Sequence, residues 1–221
     1  MITSGGGGDP AQPLQQLPLA EVDQPRVLSV VSEVLEKLVA RNDQLSGGAG
    51  KSPRPPLNAF QGVRAPAISL GKYAERIYKY TSCSPSCFVV GFVYIDRLVH
   101  KHPDSLVVSL NVHRLLVTSV MVASKMLDDA HYNNAFYARV GGVSNVELNR
   151  LELELLFLLD FGVTVSSRVF ESYCQHLEKQ TTLVERPLLN GDVVSEISVE
   201  EDTHISSSPP HPTPTPTHLP S

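Results

Sequence analysis

The sequence predicts an all-α fold, because its apolar residues recur at helical spacing and its turn-forming residues fall between those runs. Three strongly apolar runs lie between Ser84 and Phe161: FVVGFVYIDRL, VTSVMVASKMLDD and NRLELELLFLLDF. The middle of the three, residues 115–127, is apolar nearly all round, as expected of a helix surrounded by other helices. Together the runs predict one helical domain.

The first 66 residues predict a single helix between two flexible segments. Residues 1–22 are rich in Gly, Pro and Gln, a composition typical of disorder. Residues 23–43 predict an amphipathic helix, since six apolar side chains from Val27 to Leu38 share one face. Clusters of Gly and Pro in residues 44–66 predict a linker.

Capping residues divide the following region into short helices. Ser144 with Glu147 three residues later forms a capping box, and Gly162 suits the end of the helix that begins there. Similar signals predict about five helices within residues 68–161. A trailing amphipathic helix is expected over residues 165–180.

Composition and charge exclude several classes of protein. The chain has 221 residues, a net charge of -5 and no apolar run long enough for a membrane span. Its N-terminus lacks the basic start and apolar core of a secretory signal. Residues 68–179 carry eleven basic and eleven acidic side chains, so no basic cluster predicts nucleic acid as a partner.

Lys125 and Glu152 are the two charges that are hardest to place in solvent. Lys125 ends an otherwise buried helix, and leucines lie four residues before and three and four residues after Glu152. Charges are costly to desolvate, so they seldom lie on apolar faces without a partner. In the simpler interpretation, Lys125 pairs with Asp128 or Asp129 and Glu152 reaches water.

Several short motifs occur in a specific order: YIDR (94–97), ASK (123–125), and Glu152 nine residues before Phe161. In this order and spacing they resemble the cyclin family. The stretch ISLGKYAERIYKYTSCSPSCFVV before YIDR is similar to the single-box P-type and U-type cyclins of plants, relatives of fungal phosphate-responsive cyclins. The resemblance implies an all-α fold with one five-helix cyclin box over residues 67–164, flanking helices and disordered tails.

The resemblance also implies a regulatory subunit and not an enzyme. Cyclins bind and activate cyclin-dependent protein kinases, and a kinase with a PSTAIRE-type helix is the expected partner, in control of cell division and its response to nutrients. The cyclin positions matched by Lys125 and Glu152 are kinase-binding residues beside the movable regulatory helix. The alternative is an adaptor or transcription-associated module of the same fold that activates no kinase. The family likeness implies a location in the nucleus, the cytoplasm or both.

Asp96 of the YIDR motif has a structural role in the family, where it commonly pairs with an Arg of the first box helix. Ala67 occupies the matching position in this chain. Arg76, one helical turn beyond Tyr73, is therefore the expected partner of Asp96 in a structural salt bridge.

No catalytic, metal or cofactor site is predicted. The three cysteines cannot pair completely, which indicates a reducing, intracellular compartment. Zinc needs four ligands, and Cys174 with His176 is the only other Cys/His cluster, so Cys83 and Cys87 are interpreted as structural thiols. The sequence contains no nucleophile triad, phosphate-binding loop or paired-carboxylate motif.

The C-terminal segment, residues 181–221, is acidic and then rich in Ser, Thr and Pro, a composition typical of disorder. Ser208, Thr213 and Thr215 each precede a proline and are candidate phosphorylation sites for proline-directed kinases. The same composition is typical of segments that shorten a protein's lifetime.

Overall fold

A computed structural model of the chain describes residues 25–47 and 57–184. Within these ranges the structure is helical, with seven α-helices and one 3-10 helix. No helix in these ranges is both long enough and apolar enough to cross a membrane. The order is α1 (Arg26–Gly47), the 3-10 helix (Leu57–Phe60), α2 (Leu70–Thr81), α3 (Ser86–Lys101), α4 (Val112–Leu127), α5 (Asn134–Gly141), α6 (Asn145–Leu158) and α7 (Ser167–Val184).

The all-α prediction is confirmed, and the helices expected between residues 67 and 164 are α2 to α6. Helix α1 runs to Gly47, beyond the predicted end at residue 43, and α7 extends past residue 180. Part of the predicted linker is structured, because Leu57 and Phe60 of the 3-10 helix are buried. The remaining predicted segments, residues 1–22, 48–56 and 185–221 with Ser208, Thr213 and Thr215, lie outside the described residues.

Helix α4 forms the centre of the domain. All of its residues from Leu115 to Ser124 are buried, as the apolar middle run predicted. Helix α3 packs closely against α4 at Gly91, where a Cβ atom would lie 3.2 Å from the backbone nitrogen of Val120. Any side chain at this crossing would therefore crowd the backbone of α4, which favours glycine.

The predicted capping box at the start of α6 is half formed. The Ser144 hydroxyl accepts a hydrogen bond from the Glu147 backbone N–H at 3.1 Å, as expected of an N-cap. The Glu147 carboxylate does not turn back to the cap. It accepts from Nε of Arg114 on α4 at 2.6 Å, so it joins α6 to the central helix.

Helix α6 ends earlier than predicted. It stops at Leu158, and two non-glycine residues, Asp160 and Phe161, then adopt left-handed backbone angles with φ of 49° and 58°. The ammonium group of Lys101 on α3 lies 2.6 Å from the Asp160 carboxylate, which lowers the pKa of Asp160. The helix is therefore terminated by this turn, and Gly162 lies beyond it.

Candidate functional site

The structure brings Lys125 and Glu152 together. Nζ of Lys125, in the last turn of α4, lies 2.6 Å from Oε1 of Glu152 on α6. The two side chains are 28% and 18% exposed, so they are only partly shielded from solvent and remain open to another molecule. Lys125 also lies at the negative end of the α4 dipole, a position that favours a cation.

A third residue, Asn134 at the start of α5, completes the cluster. Its Oδ1 accepts from Nζ of Lys125 at 2.6 Å, and its Nδ2 donates to Oε2 of Glu152 at 2.6 Å. Nδ2 also donates to Oδ1 of Asn149 at 2.8 Å. We call Lys125, Asn134 and Glu152 the polar cluster; it joins the three helices α4, α5 and α6.

The expectation that Lys125 pairs with a nearby aspartate is wrong, and so is the expectation that Glu152 only faces water. Asp128 is directed elsewhere, since its Oδ2 accepts from the backbone N–H of Ser84 at 3.2 Å and from the thiol of Cys87 at 3.2 Å. The pairing across helices leaves both charges compensated in the isolated chain.

A buried hydrogen bond fixes α5 against α4 beside the polar cluster. The Tyr137 hydroxyl donates to Oγ of Ser124 at 2.8 Å, one residue before Lys125. Burial raises the pKa of Tyr137, so the hydroxyl remains protonated and can donate. Ser124 Oγ in turn donates to the carbonyl of Met121 at 3.0 Å, which holds the end of α4 in place.

Large apolar side chains are exposed on the same segments of α4 and α6, and in the turn after α6. Phe157 is 62% exposed, and its ring meets that of Phe161 edge to face with centroids 5.3 Å apart. Exposed apolar residues that adjoin charged ones are typical of protein-binding surfaces. We call these residues the apolar rim; its members are Met126, Leu127, Leu153, Phe157 and Phe161.

The family model for cyclins matches residues 25–163 of this chain, which is more than half of its length. The chain belongs to the cyclin family. The match begins at α1, so it includes a helix that lies before the box predicted to start at residue 67.

Individual plant cyclins are similar over most of this cyclin. It is 60% identical to Cyclin-U1-1 of Arabidopsis thaliana over 212 residues, which are 95% of this chain and 96% of that protein. It is 48% identical to Cyclin-P3-1 of Oryza sativa subsp. japonica over 168 residues, or 75% and 70% of the two chains. The predicted likeness to the plant P-type and U-type cyclins is confirmed.

The YIDR motif of this cyclin connects α3 to the segment after α6. The Tyr94 hydroxyl donates to the carbonyl of Val163 at 2.7 Å, and burial raises the pKa of Tyr94 to about 12, so the hydroxyl stays protonated. Arg97 Nη1 donates to the carbonyls of Gly162 and Thr164 at 2.8 and 3.0 Å. These bonds explain why Tyr and Arg occupy the motif.

The structure does not bring Asp96 and Arg76 together. Oδ2 of Asp96 accepts from the Tyr173 hydroxyl of α7 at 2.6 Å, and Nδ1 of His100 lies 3.4 Å from the same oxygen. Arg76 donates instead to the carbonyl of Arg139 on α5 at 3.4 Å. The two predicted partners face different helices, α7 and α5, so the expected salt bridge is replaced by a tyrosine hydrogen bond.

Cys83 and Cys87 are both buried at the junction of α2 and α3. The neighbouring Cys83 thiol and burial raise the pKa of Cys87, so the Cys87 thiol keeps its proton. The Cys87 thiol donates to Asp128, which fastens the start of α3 to the end of α4. In the part of the chain that the structure describes, no three His, Cys, Asp or Glu side chains are grouped as metal ligands.

Proposed function

We propose that this cyclin is the regulatory subunit of a cyclin-dependent protein kinase with a PSTAIRE-type helix, which it binds and activates in the control of cell division. The observation that carries the proposal is the Lys125–Glu152 pair, with a donor and an acceptor side by side on a partly exposed surface. An ammonium group can donate to backbone carbonyls, and a carboxylate can accept from backbone N–H groups. Such hydrogen bonds to charged groups contribute about 1.5 to 3 kcal/mol each.

Activation requires that the cyclin distinguish between two kinase conformations. A kinase is active only when the Glu of its regulatory helix pairs with the catalytic Lys. A cyclin that binds the main chain at that helix in one position only shifts the population toward the active state. The polar cluster suits this task, because its hydrogen bonds join three helices and hold Lys125 and Glu152 in one arrangement.

The apolar rim gives a second reason to place the binding face on these segments of α4 and α6. Changing Phe157 to Ser should weaken kinase binding by about tenfold, since aromatic anchors dominate most protein interfaces. The stability of the free domain should change by less than about 1 kcal/mol, because the ring is mostly exposed. Binding of a purified kinase, measured by biolayer interferometry, tests this prediction.

The matched control for this change is Tyr80→Ser on α2, which removes an aromatic ring that is 51% exposed outside the polar cluster and the rim. It should bind the kinase as the unchanged protein does. Equal loss of binding in both variants would contradict the assignment of the face.

Co-expression with a PSTAIRE-type kinase tests the function as a whole. The two proteins should copurify as a stoichiometric complex, and the complex should phosphorylate a histone substrate at a rate well above that of the kinase alone. Copurification without any gain in phosphotransfer would contradict activation and would leave a binding role only.

A further inference from the structure

We infer that Asn134 is a positioning residue of the partner-binding site, which holds Lys125 and Glu152 in the orientation that a partner's main chain meets. The inference rests on the proposed function and goes beyond it, since the function itself needs only the two charges. Its basis is a pair of 2.6 Å hydrogen bonds at one amide group, which accepts from Lys125 and donates to Glu152.

The chemistry of the two partners fixes the orientation of the Asn134 amide. A lysine ammonium can only donate and a glutamate carboxylate can only accept, so the amide oxygen must face Lys125 and the nitrogen must face Glu152. Both hydrogens of Nδ2 are used, one by Glu152 and one by Asn149. Asn149 therefore holds the amide from its other side.

The cluster leaves a defined set of hydrogen-bonding positions open. Of the hydrogens on the Lys125 ammonium, one is bound by Glu152 and one by Asn134, and one remains. Each Glu152 oxygen accepts one hydrogen bond within the cluster and has capacity for another. The free groups suit a backbone carbonyl and neighbouring N–H groups, and their directions depend on Asn134.

Asn134 is not needed to start α5, because its neighbour performs that task. Oδ1 of Asn133 accepts from the backbone N–H of Phe136 at 3.0 Å and is the N-cap. A substitution at Asn133 removes a cap, whereas a substitution at Asn134 removes contacts of the polar cluster. Substitutions at the two adjacent asparagines can therefore separate an effect on helix stability from an effect on partner binding.

The test measures affinity for a PSTAIRE-type kinase and thermal stability in the same set of full-length variants. Asn134→Ala should bind about tenfold more weakly, by the loss of hydrogen bonds to charged groups. Asn134→Asp should bind more weakly still, because an anionic oxygen then replaces the donor that faces Glu152. Its melting temperature should stay close to that of Asn134→Ala, since an acid in the first turn favours a helix and offsets the repulsion from Glu152.

Asn133→Ala is the control, with a lower melting temperature and an affinity within about twofold of the unchanged protein. In a protein that already carries Glu152→Gln, adding Asn134→Ala should reduce kinase affinity by much less than tenfold. The effects of two substitutions on affinity are not additive when the residues act as a unit. A purely structural role for Asn134 predicts instead that affinity follows melting temperature across the set.

The Lys125→Ala/Glu152→Ala variant separates the two claims. If it binds weakly while both Asn134 variants bind normally, the positioning role is wrong and the proposed function stands. If it binds as well as the unchanged protein, or if the unchanged protein binds no kinase, both are wrong.

Discussion

Replacing Lys125 and Glu152 together by alanine should abolish kinase binding and leave the domain folded. In the proposed function each charge forms hydrogen bonds to the kinase main chain that are worth about 1.5 to 3 kcal/mol, and a typical micromolar complex would not survive the loss of both. The pair is partly exposed, and removal of both members leaves no unpaired charge behind. Pulldown with a tagged kinase measures binding, and circular dichroism measures folding.

Single substitutions should differ from the double one in stability. Lys125→Ala leaves Glu152 only 18% exposed without its cation, a state that costs about 1 to 3 kcal/mol. The double variant should therefore melt at a higher temperature than this single variant, although it binds no better.

The matched control is the Lys72→Ala/Glu75→Ala variant, which removes an ion pair of 2.9 Å on the exposed face of α2. Binding by this control should be normal, since neither residue belongs to the polar cluster or the apolar rim. Undiminished capture of the kinase by the Lys125/Glu152 variant would contradict the proposed site.

Gly91→Leu should unfold the domain or come close to it. A side chain at this position would meet the backbone nitrogen and Cγ2 of Val120, both 3.2 Å from the Cβ position, so α3 would have to move away from the central helix. Overpacking costs about 1 to 3 kcal/mol and occasionally more, and displacement of a whole helix belongs at the upper end, a large part of the roughly 5 to 15 kcal/mol that stabilises a typical domain. Urea unfolding followed by circular dichroism measures the loss.

The control, Gly71→Leu on α2, is made where nothing lies within 4 Å of the Cβ position. Leucine is a better helix former than glycine, so this variant should be as stable as the unchanged protein or up to about 1 kcal/mol more stable. A Gly91→Leu protein with an unchanged urea midpoint would show that α3 and α4 do not cross as described.

The helices could be predicted from the sequence because their signals are local. The apolar face of α4 and the N-cap Ser144 depend on residues within a few positions of one another, and both are found as predicted. The partner of Lys125 is not a local property. Glu152 lies 27 positions away and reaches Lys125 only through the packing of α6 on α4, so helical spacing favoured the nearer Asp128 or Asp129.

The same limit explains the contacts of Asp96 and Asn134. The hydroxyl that binds Asp96 belongs to Tyr173, 77 positions away on α7. The family pattern had predicted a partner on α2 instead. Asn134 resembles any helix-starting asparagine in the sequence. Only the structure distinguishes it from Asn133, which performs the capping.

The exposure of individual apolar side chains could not be predicted from the sequence either. Leu153 and Phe157 belong to one of the three strongly apolar runs, yet both side chains are more than half exposed. An apolar pattern in the sequence indicates which side chains favour burial. It does not show whether the chain's own core or another protein buries them.

The most direct measurement is a crystal structure of this cyclin in complex with the co-expressed kinase. We expect Nζ of Lys125 and the Glu152 carboxylate to lie within hydrogen-bonding distance of main-chain atoms at the regulatory helix of the kinase, with Asn134 still bound to both. A complex in which the kinase covers another face and leaves the polar cluster in solvent would contradict the proposed function.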